Sequence, residues 1–268
     1  MTKNTDFEGI LPERVYKYRI WSDPYHKKIL THDQLFFSKQ EKLNDPFDAL
    51  FPFHYHEDQM TEENVKLKLE QTIMNLKPNI SRADLNILVS KRMEEVNFHN
   101  SDYWIEAIPT FKKMVNENIG ICSLASQYNN HGLWTHYGNC HKGFCLGFDS
   151  NNLYNSTGGL MGNVIYSDNE NIVDLFDEGP NGLIVALMLK SPQLNFESEI
   201  RIAKVGMAGK PHLYKNDCLK EVILGTHISD YDKDQIIAAI KSYHPTIEVY
   251  QLKMEYSSKK LVKERIDL

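Results

Sequence analysis

The chain has 268 residues, of which 41% are hydrophobic and 25% charged, and 30 Lys and Arg against 36 Asp and Glu give a formal charge of −6. A chain of this length buries roughly three quarters of its unfolded surface without disulfides, and its four cysteines include no Cys-x-x-Cys pair typical of zinc ribbons. The acidic balance argues against a protein whose main role is to bind nucleic-acid backbone, since that role needs a net basic face.

The N-terminal segment, residues 1–12, is polar and acidic, whereas a signal peptide begins with basic residues followed by an apolar run. No stretch of the sequence approaches the roughly 18 apolar residues that span a membrane. We therefore expect a cytoplasmic protein that has no membrane partner.

The first part of the chain has the pattern of two short strands. Residues 15–20 alternate as a strand does, residues 22–24 precede a short helical stretch, and the aromatic residues 34–38 predict a second strand. Asn44, Asp45 and Pro46 then indicate a turn.

Residues 61–118 have helical periodicity. Thr61 and the Ser81-x-x-Asp84 sequence predict two helix starts, and a third helix is expected from about Asp102. We interpret residues 61–118 as a helical insertion within one domain that spans residues 1–268.

Strand character returns from residue 119 onward, with one long helix predicted at 230–243. Residues 181–189 fit either a helix or a buried strand. The predicted strands lie at 119–124, 143–148, 163–166, 199–203, 219–225, 247–254 and 261–266. The sequence thus predicts an α+β fold with a mixed, mostly antiparallel β core.

Two polar groups of the N-terminal strands are candidates for chemistry. Tyr18 and Arg19 end the first strand, where the planar guanidinium suits a phosphate or carboxylate but also suits a salt bridge at a strand end. Ser38 ends the second strand and suits the floor of a pocket. Asn44 and Asp45 are common turn formers, so their structural role is the simpler explanation.

The densest polar segment is residues 132–144, which include Trp134, His136, Tyr137 and His141. Aromatic faces stack on flat rings and His donates or accepts hydrogen bonds, so the segment predicts a ligand-contacting loop. A zinc site from His131, His136, His141 and a cysteine is an alternative, but the spacing matches no short metal motif.

The last group is Glu197, Glu199 and Arg201, which point to one face if they all lie on a strand. A surface ladder of charges is the common case. The same row lining a cleft would instead supply a catalytic carboxylate, a helper and an orienting arginine.

The four groups in this order resemble a bacterial family known as domain of unknown function 2971. The motifs that carry the resemblance are Tyr-Lys-Tyr-Arg, Phe-x-Ser-x(5)-Asn-Asp-Pro-Phe-Asp, Trp-x-His-Tyr-x(3)-His-x-Gly-x-Cys and Glu-x-Glu-x-Arg. This resemblance covers nearly the whole chain, and the family name implies no activity.

A more distant resemblance is to the Arg-Ser-Glu type of the ADP-ribosyltransferase superfamily, which implies an ADP-ribosyltransferase-like fold. It implies that Arg19 holds NAD, that Ser38 shapes the nicotinamide-ribose pocket, that Glu199 is catalytic and that Glu197 activates the acceptor. The residues then expected to contact NAD are Tyr18, Arg19, Ser38, Asn44, Asp45, Trp134, His136, Tyr137, His141 and Arg201. The segment from Trp134 to Gly143 has no counterpart in that superfamily.

The resulting hypothesis is an NAD-dependent ADP-ribosyltransferase or NAD glycohydrolase, acting as an intracellular toxin or phage-defence effector. NAD is expected as a substrate and no metal is expected. The partners would be a protein or nucleic-acid acceptor and an antitoxin or sensor. The alternatives are a metal-dependent hydrolase or nuclease centred on His136, His141 and Asp45, and a non-catalytic nucleotide-binding module.

Overall fold

The computed structural model describes residues 11–45, 48–49, 53–54, 61–77, 79–95, 113–167, 173–174 and 181–268. The chain divides into two compact units. The first unit comprises residues 1–48, 116–168 and 188–268, and the second comprises residues 49–115 and 169–187. No helix in these described ranges is long and apolar enough to cross a membrane.

The helices and strands combine in an α+β fold. The strands are β1 (Arg14–Arg19), β2 (Gln34–Phe37), β3 (Phe53–His54), β4 (Ile119–Ala125), β5 (Phe144–Asp149), β6 (Leu160–Asn163), β7 (Ile165–Tyr166), β8 (Val173–Asp174), β9 (Leu189–Lys190), β10 (Glu199–Val205), β11 (Lys210–Leu213), β12 (Leu219–Leu224), β13 (Glu248–Glu255) and β14 (Lys260–Arg265). The α-helices are α1 (Pro24–Thr31), α2 (Glu62–Leu76), α3 (Arg82–Glu95), α4 (His131–His136), α5 (Ser150–Thr157), α6 (Asn181–Met188) and α7 (Asp230–Tyr243). Short 3₁₀ helices span Gln40–Lys42 and Pro192–Glu197, and residues 113–118 are helical.

The first unit is built on a sheet of strand order β14-β13-β12-β5-β1-β4-β10-β6. Its neighbouring strands are antiparallel except β12 and β13, which are parallel and joined through α7. A parallel pair needs such a crossover because its strands run in the same direction. The fold class is therefore mixed α+β with a mostly antiparallel sheet, as predicted.

Strands β1 and β4 diverge near the middle of this sheet. β4 pairs with β10 along its whole length, but within the described residues it pairs with β1 only where Tyr16 lies opposite Ala125. Further along the same edge of β4, Ser38 and Ile121 exchange two backbone hydrogen bonds of 2.8 Å. The chain after β2 thus occupies the place that β1 leaves.

The two faces of the sheet carry separate apolar clusters, because side chains alternate along each strand. Val15, Ile200 and Ile202 belong to the first cluster, together with residues of α1, α5 and α7. Tyr16 and Tyr18 belong to the second cluster, where Leu133 and Trp134 of α4 cover the other face. Glu199 and Arg201 alternate with the two isoleucines and therefore face the second side.

The second unit contains α2 and α3, both of which begin at predicted cap residues. Thr61 accepts a hydrogen bond from the backbone N–H of Asn64 at 3.2 Å, and Ser81 accepts one from that of Asp84 at 3.1 Å. These caps satisfy backbone donors that have no partner within the helix. The helix expected from Asp102 lies mostly outside the described residues.

Two details of the predicted secondary structure change. The single strand predicted at 163–166 is wrong, since β6 ends at Asn163 and Val164 breaks the run. The backbone N–H of Val164 donates to the carbonyl of Glu199 at 3.0 Å, and β7 then pairs with β9 instead of β10. Residues 181–188 are helical, which decides the ambiguity left by periodicity.

Candidate functional site

Five charged side chains meet in the first unit to form a buried cluster, which we call the charge cluster. Lys190 donates from Nζ to Glu197 Oε2 at 2.5 Å and to Glu199 Oε2 at 2.7 Å. Arg201 donates from Nε to Glu199 Oε1 at 2.9 Å and from Nη2 to Asp48 Oδ2 at 2.9 Å. Each of the five residues is at most 6% exposed. A surface ladder, the simpler expectation for this motif, is therefore wrong.

The cations of the charge cluster decide which carboxylate is ionised. Burial alone would raise the pKa of Glu199, but Arg201 and Lys190 outweigh it and lower that pKa to about 2. For Asp48, burial prevails over the opposing effect of Arg201 and raises the pKa. Burial opposes the charge of Lys190 too, yet Glu199 and Asp48 raise its pKa overall. Glu199 is thus a fixed carboxylate held ionised by two cations.

Glu197 reaches the charge cluster by a bend rather than along a strand. It ends the 3₁₀ helix, Ser198 has a left-handed backbone with φ of 44°, and β10 starts only at Glu199. A left-handed residue reverses the local chain direction and is costly for a side chain other than glycine or asparagine. The prediction that Glu197 shares a strand face is wrong, although the bend still brings both carboxylates to Lys190.

Two tyrosines hold the carboxyl region in place. Tyr137 donates from its hydroxyl to Glu197 Oε1 at 2.8 Å, and burial together with Glu197 raises the pKa of Tyr137 to about 12. Asn44 also hydrogen-bonds to the Tyr137 side chain. The hydroxyl of Tyr166 accepts the backbone N–H of Glu199 at 2.8 Å.

Helix α4 positions Tyr137 by packing on the 3₁₀ helix that carries Glu197. Asn130 caps α4 by accepting the N–H of Leu133 at 3.1 Å, and its amide donates to the carbonyl of Phe196. Gly132 allows the close approach, because a Cβ there would lie 2.6 Å from the Phe196 ring. The first part of the predicted ligand-contacting loop is therefore the short helix α4, which supports the charge cluster.

The Asn-Asp-Pro-Phe-Asp segment contributes its last residue, Asp48, to the charge cluster. The backbone N–H of Asp48 donates to the carbonyl of Asp45 at 3.1 Å, and Gln40 Nε2 donates to the carbonyl of Asp48 at 2.9 Å. These bonds fix the turn that delivers the Asp48 carboxylate to Arg201.

Two cations lie where β1 and β4 diverge, and we call them the cation pair. Lys17 Nζ donates to the backbone carbonyl of Ser123, and Arg19 Nη1 donates to that of Tyr18 at 3.0 Å. Burial and the neighbouring Arg19 lower the pKa of Lys17 to about 8, while Glu199 acts in the opposite direction. Burial also lowers the pKa of Arg19. In the described part of the chain, neither cation forms an ion pair with a carboxylate.

Residues 133–202 match the family model described as protein of unknown function (DUF2971). The match supports the DUF2971 family. It covers about a quarter of the chain and includes Tyr137, Lys190, Glu197, Glu199 and Arg201. No curated protein and no solved structure matches the chain.

Three residues predicted to contact a ligand, Tyr18, Trp134 and His141, are not members of the charge cluster. Trp134 is fully buried, donates from Nε1 to the carbonyl of Tyr128 at 2.7 Å, and packs edge-to-face on Tyr18 with ring centroids 5.1 Å apart. His141 stacks on Trp134, with ring centroids 5.9 Å apart and an angle of 12° between the ring planes. Stacking of Trp134 on a ligand does not fit this burial. Trp134 and Tyr18 are instead core residues.

The residues of the metal-dependent alternative do not form a ligand set. His136 is exposed at the end of α4 and contacts Phe196, with ring centroids 5.8 Å apart. His141 lies on a left-handed turn that begins at Asn139, and Asp45 lies in the turn before Asp48. Among the described residues, no group of three or more His, Cys, Asp or Glu is positioned to hold a metal ion.

Sequence reasoning missed two members of the charge cluster. Lys190 lies two residues after α6, whose last three residues, 186–188, are buried, and a lysine beside such an apolar run is a signal of a paired buried charge. Asp48 ends the Asn-Asp-Pro-Phe-Asp motif, but only Asn44 and Asp45 of that motif were predicted as site residues. Of the predicted residues, Tyr137, Glu197, Glu199 and Arg201 come together, and Arg19 and Ser38 lie along the other edge of β4.

Proposed function

We propose that the protein cleaves the bond between nicotinamide and ribose in NAD, as an ADP-ribosyltransferase or an NAD glycohydrolase on an ADP-ribosyltransferase-like fold. The observation that carries this proposal is the pairing of Glu197 and Glu199 on one buried ammonium group, with Lys190 Nζ at 2.5 and 2.7 Å from them.

Glu199 has the properties that this reaction requires of a carboxylate. Loss of nicotinamide builds positive charge on the ribose, as glycoside hydrolysis builds an oxocarbenium-like transition state. A carboxylate that is already ionised and fixed stabilises this charge without reorganising during the reaction. Glu199, with a pKa of about 2, is such a group.

Glu197 is the candidate for accepting a proton from the attacking nucleophile. One of its oxygens accepts the Tyr137 hydroxyl and the other accepts Lys190. Water as the nucleophile gives hydrolysis, and an acceptor group gives transfer.

The cation pair supports binding of the pyrophosphate. Lys17 and Arg19 are partly buried; cations in such places without a carboxylate partner are costly, and an anionic ligand offsets that cost. Arg19 offers a planar fork that fits phosphate oxygens, and Lys17, whose charge interacts with that of Arg19, adds a second positive charge. Ser38 would line the same edge of β4.

Substrate binding at Glu199 requires a change of partner. Both oxygens of Glu199 are bonded and the residue is 2% exposed, so a ribose hydroxyl must replace Lys190 on Oε2. This observation favours a second candidate function, a nucleotide-binding module that holds NAD and leaves it intact. Cleavage of NAD, measured as nicotinamide release, distinguishes the enzyme from the binding module.

The test is nicotinamide release from NAD, followed by chromatography, for the native chain and for Glu199→Gln. We expect release to fall about a hundredfold in Glu199→Gln, the usual cost of losing one preorganised stabilising group. Glu248→Gln is the matched control, since Glu248 makes a surface ion pair with Arg265 at 3.4 Å. Melting curves of both variants show whether the fold persists.

Binding of NAD is measured separately by calorimetry. Arg19→Gln should weaken binding about tenfold, because it removes a charge-assisted contact to phosphate. Binding without release supports the binding module. Equal release by the native chain and Glu199→Gln, or no NAD binding by the native chain, contradicts the proposed reaction. An intracellular toxin or phage-defence role would follow from NAD consumption.

A further inference from the structure

A second buried acid lies on the main sheet at Glu221 of β12, which is 3% exposed. In the strand register, Gly147 of β5 lies between Glu221 and Tyr16 of β1. A Cβ at Gly147 would lie 2.6 Å from Glu221 Cγ. The glycine therefore provides the room in which the carboxylate folds over the sheet.

Aromatic rings and one ammonium group surround this carboxylate. Lys263 forms an ion pair with Glu221, and its Nζ lies 4.9 Å from the ring centroid of Tyr128 and 4.4 Å from that of Tyr250. Tyr16 and Tyr128 are in ring contact at 5.8 Å, and burial together with Glu221 raises the pKa of Tyr16. We call Glu221, Tyr16, Tyr128 and Tyr250 the ammonium cage.

The chemistry of the ammonium cage selects one class of ligand. A buried carboxylate accepts charge-assisted hydrogen bonds from N–H groups, and aromatic faces attract the positive charge. A primary alkylammonium satisfies both, whereas a tetraalkylammonium has no N–H to donate. Within the described residues, Lys263 is the cation that pairs with Glu221.

Lys263 reaches the cage from an edge strand. β14 is an edge strand that pairs only with β13 in the main sheet, and Leu261 is the one fully buried side chain of its six described residues. The Lys263 side chain is 24% exposed. β14 is held by its backbone pairing with β13, by buried Leu261 and by Ile266 directly after it. Because it lies at the sheet edge, its local opening costs less than unfolding of the whole sheet.

We infer that the ammonium cage is a binding site for primary alkylammonium groups of the lysine side-chain type. Lys263 occupies it in cis, and a lysine of another chain takes its place when β14 leaves the sheet edge. This site shares no residue with the charge cluster, and its existence does not depend on the proposed reaction.

The test removes the internal ligand and offers an external one. K263A leaves Glu221 buried without its cation, and n-butylammonium chloride is then titrated against the full-length variant. At ten times its dissociation constant, the probe should raise the melting temperature by about 3–5 °C, the shift that a tenfold gain in the folding equilibrium gives in a chain of this size. Sodium chloride at equal ionic strength is the salt control.

Three further samples make the result specific. The native chain should shift by less than about 1 °C because Lys263 fills the cage, and K260A, the matched variant of an exposed lysine on β14, should behave like the native chain. K263A/E221Q should lose the response. Equal shifts in K263A and K263A/E221Q, or no shift in K263A, would overturn the inference.

A second measurement applies even if K263A does not fold. Acetic anhydride at limiting concentration is used to acetylate lysines of the native chain and of E221Q, and the sites are quantified by mass spectrometry. Lys263 should be acetylated several times faster in E221Q, while Lys260 should not change. Equal acetylation of Lys263 in both chains would show that Glu221 does not hold the ammonium and would contradict the inference.

Discussion

The charge cluster and the cation pair differ in how their charges are compensated. In the charge cluster, hydrogen bonds of 2.5–2.9 Å join Lys190 and Arg201 to three carboxylates. In the cation pair, Lys17 and Arg19 donate to backbone carbonyls, and among the described residues no carboxylate pairs with them.

This difference indicates separate roles. A buried charge with a full set of partners contributes to a fixed local structure, and breaking it leaves its partners uncompensated. A partly buried cation without a carboxylate partner has an electrostatic cost that folding alone does not explain, and such groups concentrate where ligands bind. We therefore propose that the charge cluster provides fixed carboxylates and that the cation pair binds an anion.

The largest expected effect comes from removing the central ammonium of the charge cluster. Lys190→Met should lower the free energy of unfolding by about 3–5 kcal/mol, since Glu197 and Glu199 would both lose their shared cation inside the protein. Urea denaturation of the full-length chain, followed by tryptophan fluorescence, measures the change.

Lys253→Met is the matched control for Lys190→Met. Lys253 is 56% exposed and pairs with Glu264 at 3.7 Å on the sheet surface, so its loss should cost less than about 1 kcal/mol. Similar costs for both variants would remove the distinction between a structural cluster and a surface pair.

A smaller effect is expected in acid. The pKa of Glu199 is about 2 in the folded protein and 4.5 in an unperturbed chain. Its stabilisation is therefore complete above about pH 5 and is lost as pH falls from 4.5 towards 2, with a total of about 3 kcal/mol. The native chain should lose about 2 kcal/mol more than Glu199→Gln between pH 6 and pH 3. Parallel pH curves for the two chains would contradict this origin of the stability.

The sequence predicted the main elements of the first unit because their patterns are local. Alternation identified β1, and the apolar run at residues 144–148 identified the central β5. The helix at Asp230–Tyr243 was predicted with its observed limits, since Ser229 caps it and accepts the N–H of Asp232 at 3.1 Å. Such signals need no information about distant residues.

The charge cluster could be predicted only in part because its partners are distant in sequence. Arg201 and Asp48 are 153 residues apart, and no local pattern indicates that pairing. Trp134 and Glu199 also show that residue type and local pattern do not predict burial. An aromatic residue in a polar segment and an acid in an alternating row both suggested exposure, whereas burial is decided by α4 and by the cations of β9 and β10.

The smallest expected effect is a change in stability at alkaline pH, which tests the cation pair through Lys17. Burial and Arg19 lower the pKa of Lys17 from 10.5 to about 8, so the folded protein releases this proton before the unfolded chain does. The native chain should therefore gain stability relative to Lys17→Met between pH 8 and pH 10, by about 1 kcal/mol, since partial exposure reduces the effect. At pH 7 the charge of Lys17 lowers the stability of the native chain, and Lys17→Met removes that cost.

Lys190→Met is the control and should give no such change with pH, because the carboxylates beside Lys190 raise its pKa. Chemical denaturation at pH 7, 8, 9 and 10 measures the free energy of unfolding of all three chains. A constant difference between the native chain and Lys17→Met would contradict the lowered pKa of Lys17.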